Sequence, residues 1–440
     1  MNAPMRPIVA FWTLAGLSIC LSPGLSSAAQ TRSIKHSPPL SAAEPQKAGV
    51  SPERIARIDA MCEEAVKGGG IPGVVALVAR HGKIVYFKAH GMADNAAGRA
   101  IKTDDIFRIA SQTKAITATA VLMLWEEGKF QLDDPISKFI PEFKNPQILK
   151  TYNEADGTWT GEPAKREINI RDLLTHTSGL GYGFIDGDPR MKKIYAKAGI
   201  VEAFSTDRVT IAENIKKLAK LPLHHNPGER FTYAMGLDVC GYLIEIVSGM
   251  PFDQFLQKRL FEPLGMKDTG FYLPTEKANR LVAVQTPQNG KWVRFPVTNY
   301  DPDYPIKGAK SLFSGGGGLC STARDYATFL QMWLNGGELG GVRILSRTTV
   351  KVALSQQVAS DLFGGGNSFF SLPFNVVTDK GQTKGGSGST GTFSWGGYFN
   401  TQYFADPKEN IIGILMKQTQ GGNDETVWKF LQLVGQIVDD

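Results

Sequence analysis

Cysteine is scarce in this chain, with four in 440 residues. That excludes a small fold stapled by disulfides. None of the four forms a CxxC pair or lies near a histidine at ligand spacing, which argues against a structural zinc site. Histidine is scarce too, at six. A glycine period is missing, which excludes a collagen-like repeat, and 42% hydrophobic with 20% charged residues excludes general disorder. Beyond the N-terminus no apolar run approaches the roughly 18 residues of a spanning helix. No nucleic-acid module is recognisable, and the net charge of +6 is scattered. Its densest group, Lys192, Lys193, Lys197, Lys216, Lys217 and Lys220, includes lysines opposite the apolar stripe Ile211, Ile215 and Leu218, as on a solvated helix face. The serine-hydrolase elbow G-x-S-x-G is also missing; Gly386-Ser387-Gly388-Ser389 comes nearest.

What is present begins with an export signal over 1–29. Arg6 precedes an apolar run from Pro7 to Leu21, and small residues follow to Ala28 and Ala29, where cleavage is expected. Ile19 before Cys20 argues against a lipoprotein box. The expected location is periplasmic or secreted, with no stable membrane span after cleavage. Cys62, Cys240 and Cys320 then remain, so at most one disulfide can form, of unspecified pairing.

Residues 30–48, rich in Pro, Ser and Ala, read as an exposed leader. A helix opens at Ser51-Pro52, strand-like runs flank His81-Gly82, and a short extended run at 106–110 leads into a helix over 111–127. The stretch 145–310 reads as mostly helical, with helices near 170–176, 208–221, 236–249 and 252–262. Its loops 145–168 and 181–207 are expected to line a cleft. From 315 follow a glycine run, a helix over 322–335 and strand signals to the end. The division expected is an α/β domain formed by 49–144 and 311–440, with a mostly helical domain, 145–310, inserted between them.

Chemistry centres on Ser111-Gln112-Thr113-Lys114, the single S-x-x-K match. A serine at a helix start has unpaired N–H groups and a favourable dipole beside it, and a lysine one turn later shares its face. Such a lysine accepts the hydroxyl proton only when neutral. Tyr233, in a loop before a helix, supplies a phenol able to relay that proton. Trp395-Gly396-Gly397 at a strand end allows close backbone approach, and the next N–H, on Tyr398, can join that of Ser111 in holding an oxyanion. Taken singly, Ser111 also reads as a helix cap, Tyr233 as packing and the glycines as a bend. His36, His81, His90, His176, His224 and His225 read as loop, turn or capping residues.

Together these motifs resemble the serine β-lactamase and penicillin-binding-protein superfamily, closest to its family VIII carboxylesterases. Leu132-Asp133-Asp134-Pro135, the run Arg171 to Gly179, Tyr233-Ala234-Met235, Pro263-Leu264-Gly265-Met266 and Gly315 to Leu319 follow in that family's order. The resemblance implies an α/β fold, a mainly antiparallel sheet flanked by helices plus a helical domain, with the active site between. It implies acylation of Ser111, Lys114 and Tyr233 as the base pair, an oxyanion hole from the Ser111 and Tyr398 N–H groups, and substrate contacts from Trp395, Gly396, Gly397 and Met235. No cofactor or metal is implied. Trp395 stands where β-lactamases and D,D-peptidases usually carry lysine, and Met235 where they often carry asparagine; Lys384-Gly385-Gly386 imitates the missing motif in a flexible loop. The expected activity is hydrolysis of small esters with short acyl chains. Alternatives are an amidase or D-amino-acid peptidase, a weak β-lactamase or D,D-carboxypeptidase, and a non-catalytic binder of cell-wall fragments.

Overall fold

The computed structural model describes residues 32–359, 361–385, 388–422 and 424–440; the signal expected over 1–29 and residues Gly386 and Ser387 lie outside them. Alternation of the apolar run after Gly73 sets the architecture. Val75, Leu77 and Ala79 enter one core cluster and Val74, Ala76 and Val78 another, so strand β2 (Gly73–Arg80) is buried on both faces. It lies near the middle of a nine-stranded sheet. With β1 as Ser41–Ala42, β3 as Lys83–Asp94, β4 as Ser368–Phe370, β5 as Asn375–Val377, β6 as Phe393–Gly397, β7 as Thr401–Asp406 and β8 as Ile411–Met416, the order is β1-β3-β2-β8-β7-β6-β5-β4, and the two-residue strand Arg99–Ala100 pairs with β3 off this path as the ninth. All these pairs are antiparallel except β1–β3. Ile411 of β8 sits opposite Arg80 of β2, so early and late segments share the sheet centre.

Helices cover both faces. Helix α1 (Pro52–Lys67) opens as expected, with the Ser51 hydroxyl accepting from the Arg54 N–H. It packs with α5 (Thr426–Gly435) over one face. On the other face lies α4 (Ala323–Leu334), against β2, β7 and β8. Helix α2 (Thr113–Glu126) is buried continuously from Thr113 to Leu124, as its apolar circumference demands. It runs between the sheet layer and the helical region, where α3 (Gly236–Ser248) packs on it. The result is the β-lactamase-like fold: a central, mainly antiparallel sheet flanked by helices.

The structure adds four details. The segment read as an exposed leader is largely exposed over its described residues, yet β1 pairs with β3 and Ala48 is buried. The middle stretch contains two β-hairpins, Gln147–Tyr152 with Trp159–Pro163 and Gln285–Gln288 with Lys291–Arg294. Residues 181–207 hold a helix, Pro189–Lys197, capped by Asp188. The strand signals after 335 are interrupted by helices, α5 among them. Cys62, Cys240 and Cys320 are buried free thiols, and burial pushes those of Cys62 and Cys320 up to about 12. No helix among the described residues is long and apolar enough to cross a membrane.

Candidate active site

Ser111 is held by a strained turn. Ala110 has φ 45°, left-handed backbone that an alanine adopts only under constraint, and Ala110–Gln112 form a short 3-10 turn feeding α2. The constraints surround it. The Ile109 N–H donates to the Leu319 carbonyl at 3.0 Å, and the Tyr326 hydroxyl donates to the Gln112 carbonyl at 3.0 Å. Buried Arg108 donates to the carbonyls of Val282 and Pro302 and to Gln418 Oε1.

Lys114 lies one turn on and is 4% exposed. Its Nζ donates to Ser111 Oγ at 3.2 Å, to the Tyr182 hydroxyl at 3.1 Å and to the Gly316 carbonyl at 2.6 Å. Three acceptors match the three protons of an ammonium. The ring faces of Tyr182 and Tyr233 lie 4.9 and 4.6 Å from the same nitrogen, and the two rings stack at 5.4 Å. The structure therefore brings Ser111, Lys114 and Tyr233 together. Tyr233 meets Lys114 through its ring, while its hydroxyl accepts from Trp395 Nε1 at 3.5 Å.

Behind this group stands Asp238, buried at the first turn of α3. Its Oδ1 accepts from the Ser314 hydroxyl at 2.5 Å and the Gly316 N–H at 3.2 Å. Asp238 thus grips the N–H of Gly316, the residue whose carbonyl receives Lys114. Burial raises its pKa, while Ser314 and the charge of Lys114 oppose that rise. His176 serves the backbone: its Nδ1 accepts from the Ala234 N–H at 3.2 Å and its carbonyl from the Thr232 N–H at 2.7 Å. Burial first, and Lys114 second, push its pKa down, so the ring is neutral. It fixes the Tyr233 segment and matches its reading as a loop residue.

The glycine pair lies where the sheet opens. Strand β5 pairs with β6 only at Asn375–Ser394 and Val376–Phe393, whereas β7 pairs with β6 through Gly397. Trp395 to Gly397 therefore border a cleft of about 560 Å³ on their β5 side, together with Ser111, Tyr233 and Tyr398. A Cβ on Gly397 would meet the Ile109 carbonyl oxygen at 2.5 Å; only glycine lets β6 lie this close to the residues before Ser111. The Asn400 N–H donates to the Gly397 carbonyl at 2.9 Å and Gln420 Nε2 to the Tyr398 carbonyl at 2.7 Å, fixing the turn that carries Tyr398.

Met235 is placed differently. It is 1% exposed, packs in the core and is absent from the cleft wall, because its N–H is drawn to the Gly181 carbonyl as α3 begins. Lys384 is exposed behind the helix Asp379–Thr383, away from the cleft. Of the two loops expected to line the cleft, 181–207 contributes Ile185 and 145–168 contributes nothing. Sequence reasoning missed Tyr182, Asp238 and Glu202. Tyr182 follows the Ser178-Gly179 landmark, its one available signal. Glu202 Oε1 accepts from the Phe184 N–H at 2.8 Å, holding the turn that presents Ile185, while Oε2 is buried without a partner. Burial, reinforced by Asp238 and Asp186, lifts this carboxyl to about 8 against the opposing Phe184 N–H.

A serine at a helix start, a buried lysine touching it and a cleft beside a glycine-bearing strand end suit one class of protein, the serine hydrolases. The family model described as Beta-lactamase matches residues 58–436, and the chain belongs to that family. It is 34% identical over 372 residues to Protein Rv1367c of Mycobacterium tuberculosis, covering 82% of this chain and 88% of that protein. It is 33% identical over 385 residues to Esterase EstB of Burkholderia gladioli, covering 83% and 90%. The solved structure of EstCE1, described as a hydrolase with promiscuous acyltransferase activity, superposes with a TM-score of 0.74 at 25% identity, covering 88% of this chain and 98% of that one.

Proposed function

We propose that this chain is an exported, periplasmic or secreted esterase that cleaves small, neutral carboxylic esters with short acyl chains. The observation that carries the reading is the charge of the cleft wall. Among the described residues no Asp, Glu, Lys, Arg or His borders it; Ile185, Phe363 and Trp395 supply apolar surface, and Asn375, Ser394 and Gln402 neutral polar groups. A site for β-lactams or D-alanyl peptides needs a cation for the substrate carboxylate. A neutral ester needs none.

In the proposed reaction Ser111 Oγ attacks the ester carbonyl as its proton passes to the Lys114–Tyr233 pair. The Ser111 and Tyr398 N–H groups hold the oxyanion, where one donor is typically worth about 2.7–4 kcal/mol. Collapse of the tetrahedral species breaks the C–O bond to the alcohol, which takes the proton from the pair. Water then attacks the acyl-enzyme along the same path in reverse, releasing the acid and restoring Ser111. In the resting structure Lys114 Nζ lies 3.2 Å from Ser111 Oγ, within reach of the proton it is to take.

The test compares p-nitrophenyl butyrate with a chromogenic cephalosporin and a D-alanyl p-nitroanilide, using the signal-free chain and its Ser111→Ala variant. Ester turnover should dominate and fall at least 10³-fold in the variant, the scale of losing a nucleophile. Undiminished activity of the variant would remove Ser111 from the mechanism. Turnover of the anilide or cephalosporin alone would move the substrate class to amides or lactams.

A further inference from the structure

On the sheet face opposite Lys114, three ligating side chains converge. Asp59 and Glu63 are four residues apart, on one face of α1, and His90 rises from β3 beneath them. One donor atom from each lies within 4.8 Å of the others. Two of these donors already stand side by side. Asp59 Oδ1 accepts from the Tyr86 hydroxyl at 3.0 Å and lies 3.2 Å from His90 Nε2, which is itself 3.2 Å from the Tyr86 oxygen. That spacing of carboxylate oxygen and imidazole nitrogen is close to the separation of two ligands on one metal ion, and the exposed Glu63 carboxylate stands within reach as a third.

We infer that Asp59, Glu63 and His90 form a binding site for a zinc-class divalent cation that clamps α1 to β3, separate from the catalytic cleft. One imidazole with two carboxylates suits Zn²⁺, Co²⁺ or Ni²⁺ better than Mg²⁺ or Ca²⁺, which prefer all-oxygen shells. Three protein ligands leave a fourth position to water. Ligands about 2.0–2.2 Å from zinc lie roughly 3.3–3.6 Å apart, so the set closes by about 1 Å on binding. The mobile ends accommodate this: Glu63 is exposed, whereas His90, with its side chain 12% exposed, is already fixed. Lys88, 2.6 Å from Asp59 Oδ2, is the competing cation. Its side chain is 54% exposed and can leave.

The test titrates tag-free, EDTA-stripped protein with ZnCl2 by calorimetry and follows the melting temperature, with MgCl2 as control. One saturable equivalent of zinc and a rise in melting temperature are expected, with no response to magnesium. His90→Ala and Glu63→Gln should each weaken binding at least tenfold. Lys88→Met should tighten it several-fold by removing the competitor. Glu63 is exposed, so its variant keeps the fold and remains informative even where His90→Ala does not. Hydrolysis of p-nitrophenyl butyrate should be unchanged in Glu63→Gln, which separates this site from the cleft. Absence of saturable zinc binding, or binding equally tight in the His90 and Glu63 variants, overturns the assignment.

Discussion

Lys114 illustrates how a single side chain is prepared by residues that touch no substrate. It is buried, bonded to three oxygens and faced by two phenol rings, and no carboxylate pairs with it directly. Asp238 stands behind it, accepting from the N–H of Gly316, the residue whose carbonyl takes a Lys114 proton, and the charge of Lys114 favours its ionised form. Asp238→Asn keeps an acceptor oxygen for Ser314 and Gly316 but removes the charge. It should lower kcat for p-nitrophenyl butyrate by about 10- to 100-fold, equivalent to roughly 1.4–2.7 kcal/mol. KM should stay within a few-fold and the circular dichroism unchanged, since Asp238 is a positioning residue. A proportional rise in KM would instead place it in substrate binding. The serine and lysine were legible in the sequence because three residues of helix put both on one face. Tyr182 and Asp238 were not: a lone loop tyrosine and an acid in a helix's first turn each have an ordinary structural reading, and only tertiary packing sets them beside Lys114.

Among the elements, β6 depends most on a missing side chain. Gly397 lies so close to Ile109 and Thr401 that a Cβ would approach their oxygens at 2.5 and 2.2 Å. Gly397→Ala must therefore push the strand end and Tyr398 away from Ser111. An ester kcat loss of about 10²–10³ is expected, the scale of one lost oxyanion donor, with a far-ultraviolet spectrum close to the parent. Parent-like activity would show that β6 tolerates the shift and that Tyr398 is no donor. Elements of strong period were legible: β2 and β3 around His81-Gly82, and α1 behind Ser51-Pro52. Those of weak period were not. The hairpin at 147–163 is solvent-facing and mixed in polarity. Helix α5 reads Thr-Val-Trp-Lys-Phe-Leu-Gln-Leu-Val-Gly, whose β-branched and aromatic residues suit a strand equally well until Phe430 and Val434 dock on the sheet.

For the whole molecule, burial of Glu202 links stability to pH. Its carboxyl is lifted to about 8 in the folded protein, against roughly 4.3 in an unfolded chain. Between those values the folded state binds a proton that the unfolded state does not, so stability falls as pH rises through this window. Glu202→Gln keeps an acceptor for the Phe184 N–H and should flatten the dependence, gaining on the order of a few kcal/mol over the parent at pH 8 and little at pH 4. Chemical denaturation at both values measures it; parallel curves for the two proteins would contradict the assigned burial.

The adjacency of β2 and β8 has a consequence for synthesis. Ile411 meets Arg80 across the sheet centre, so the S-x-x-K helix leaves the ribosome long before Gly397 and Tyr398 exist to face it. A chain interrupted before β6 carries Ser111 and Lys114 but neither the strand end that bears Gly397 and Tyr398 nor the centre of the sheet. The cleft is complete only when the last strands have been made, so translation almost to the end is the molecule's own safety catch.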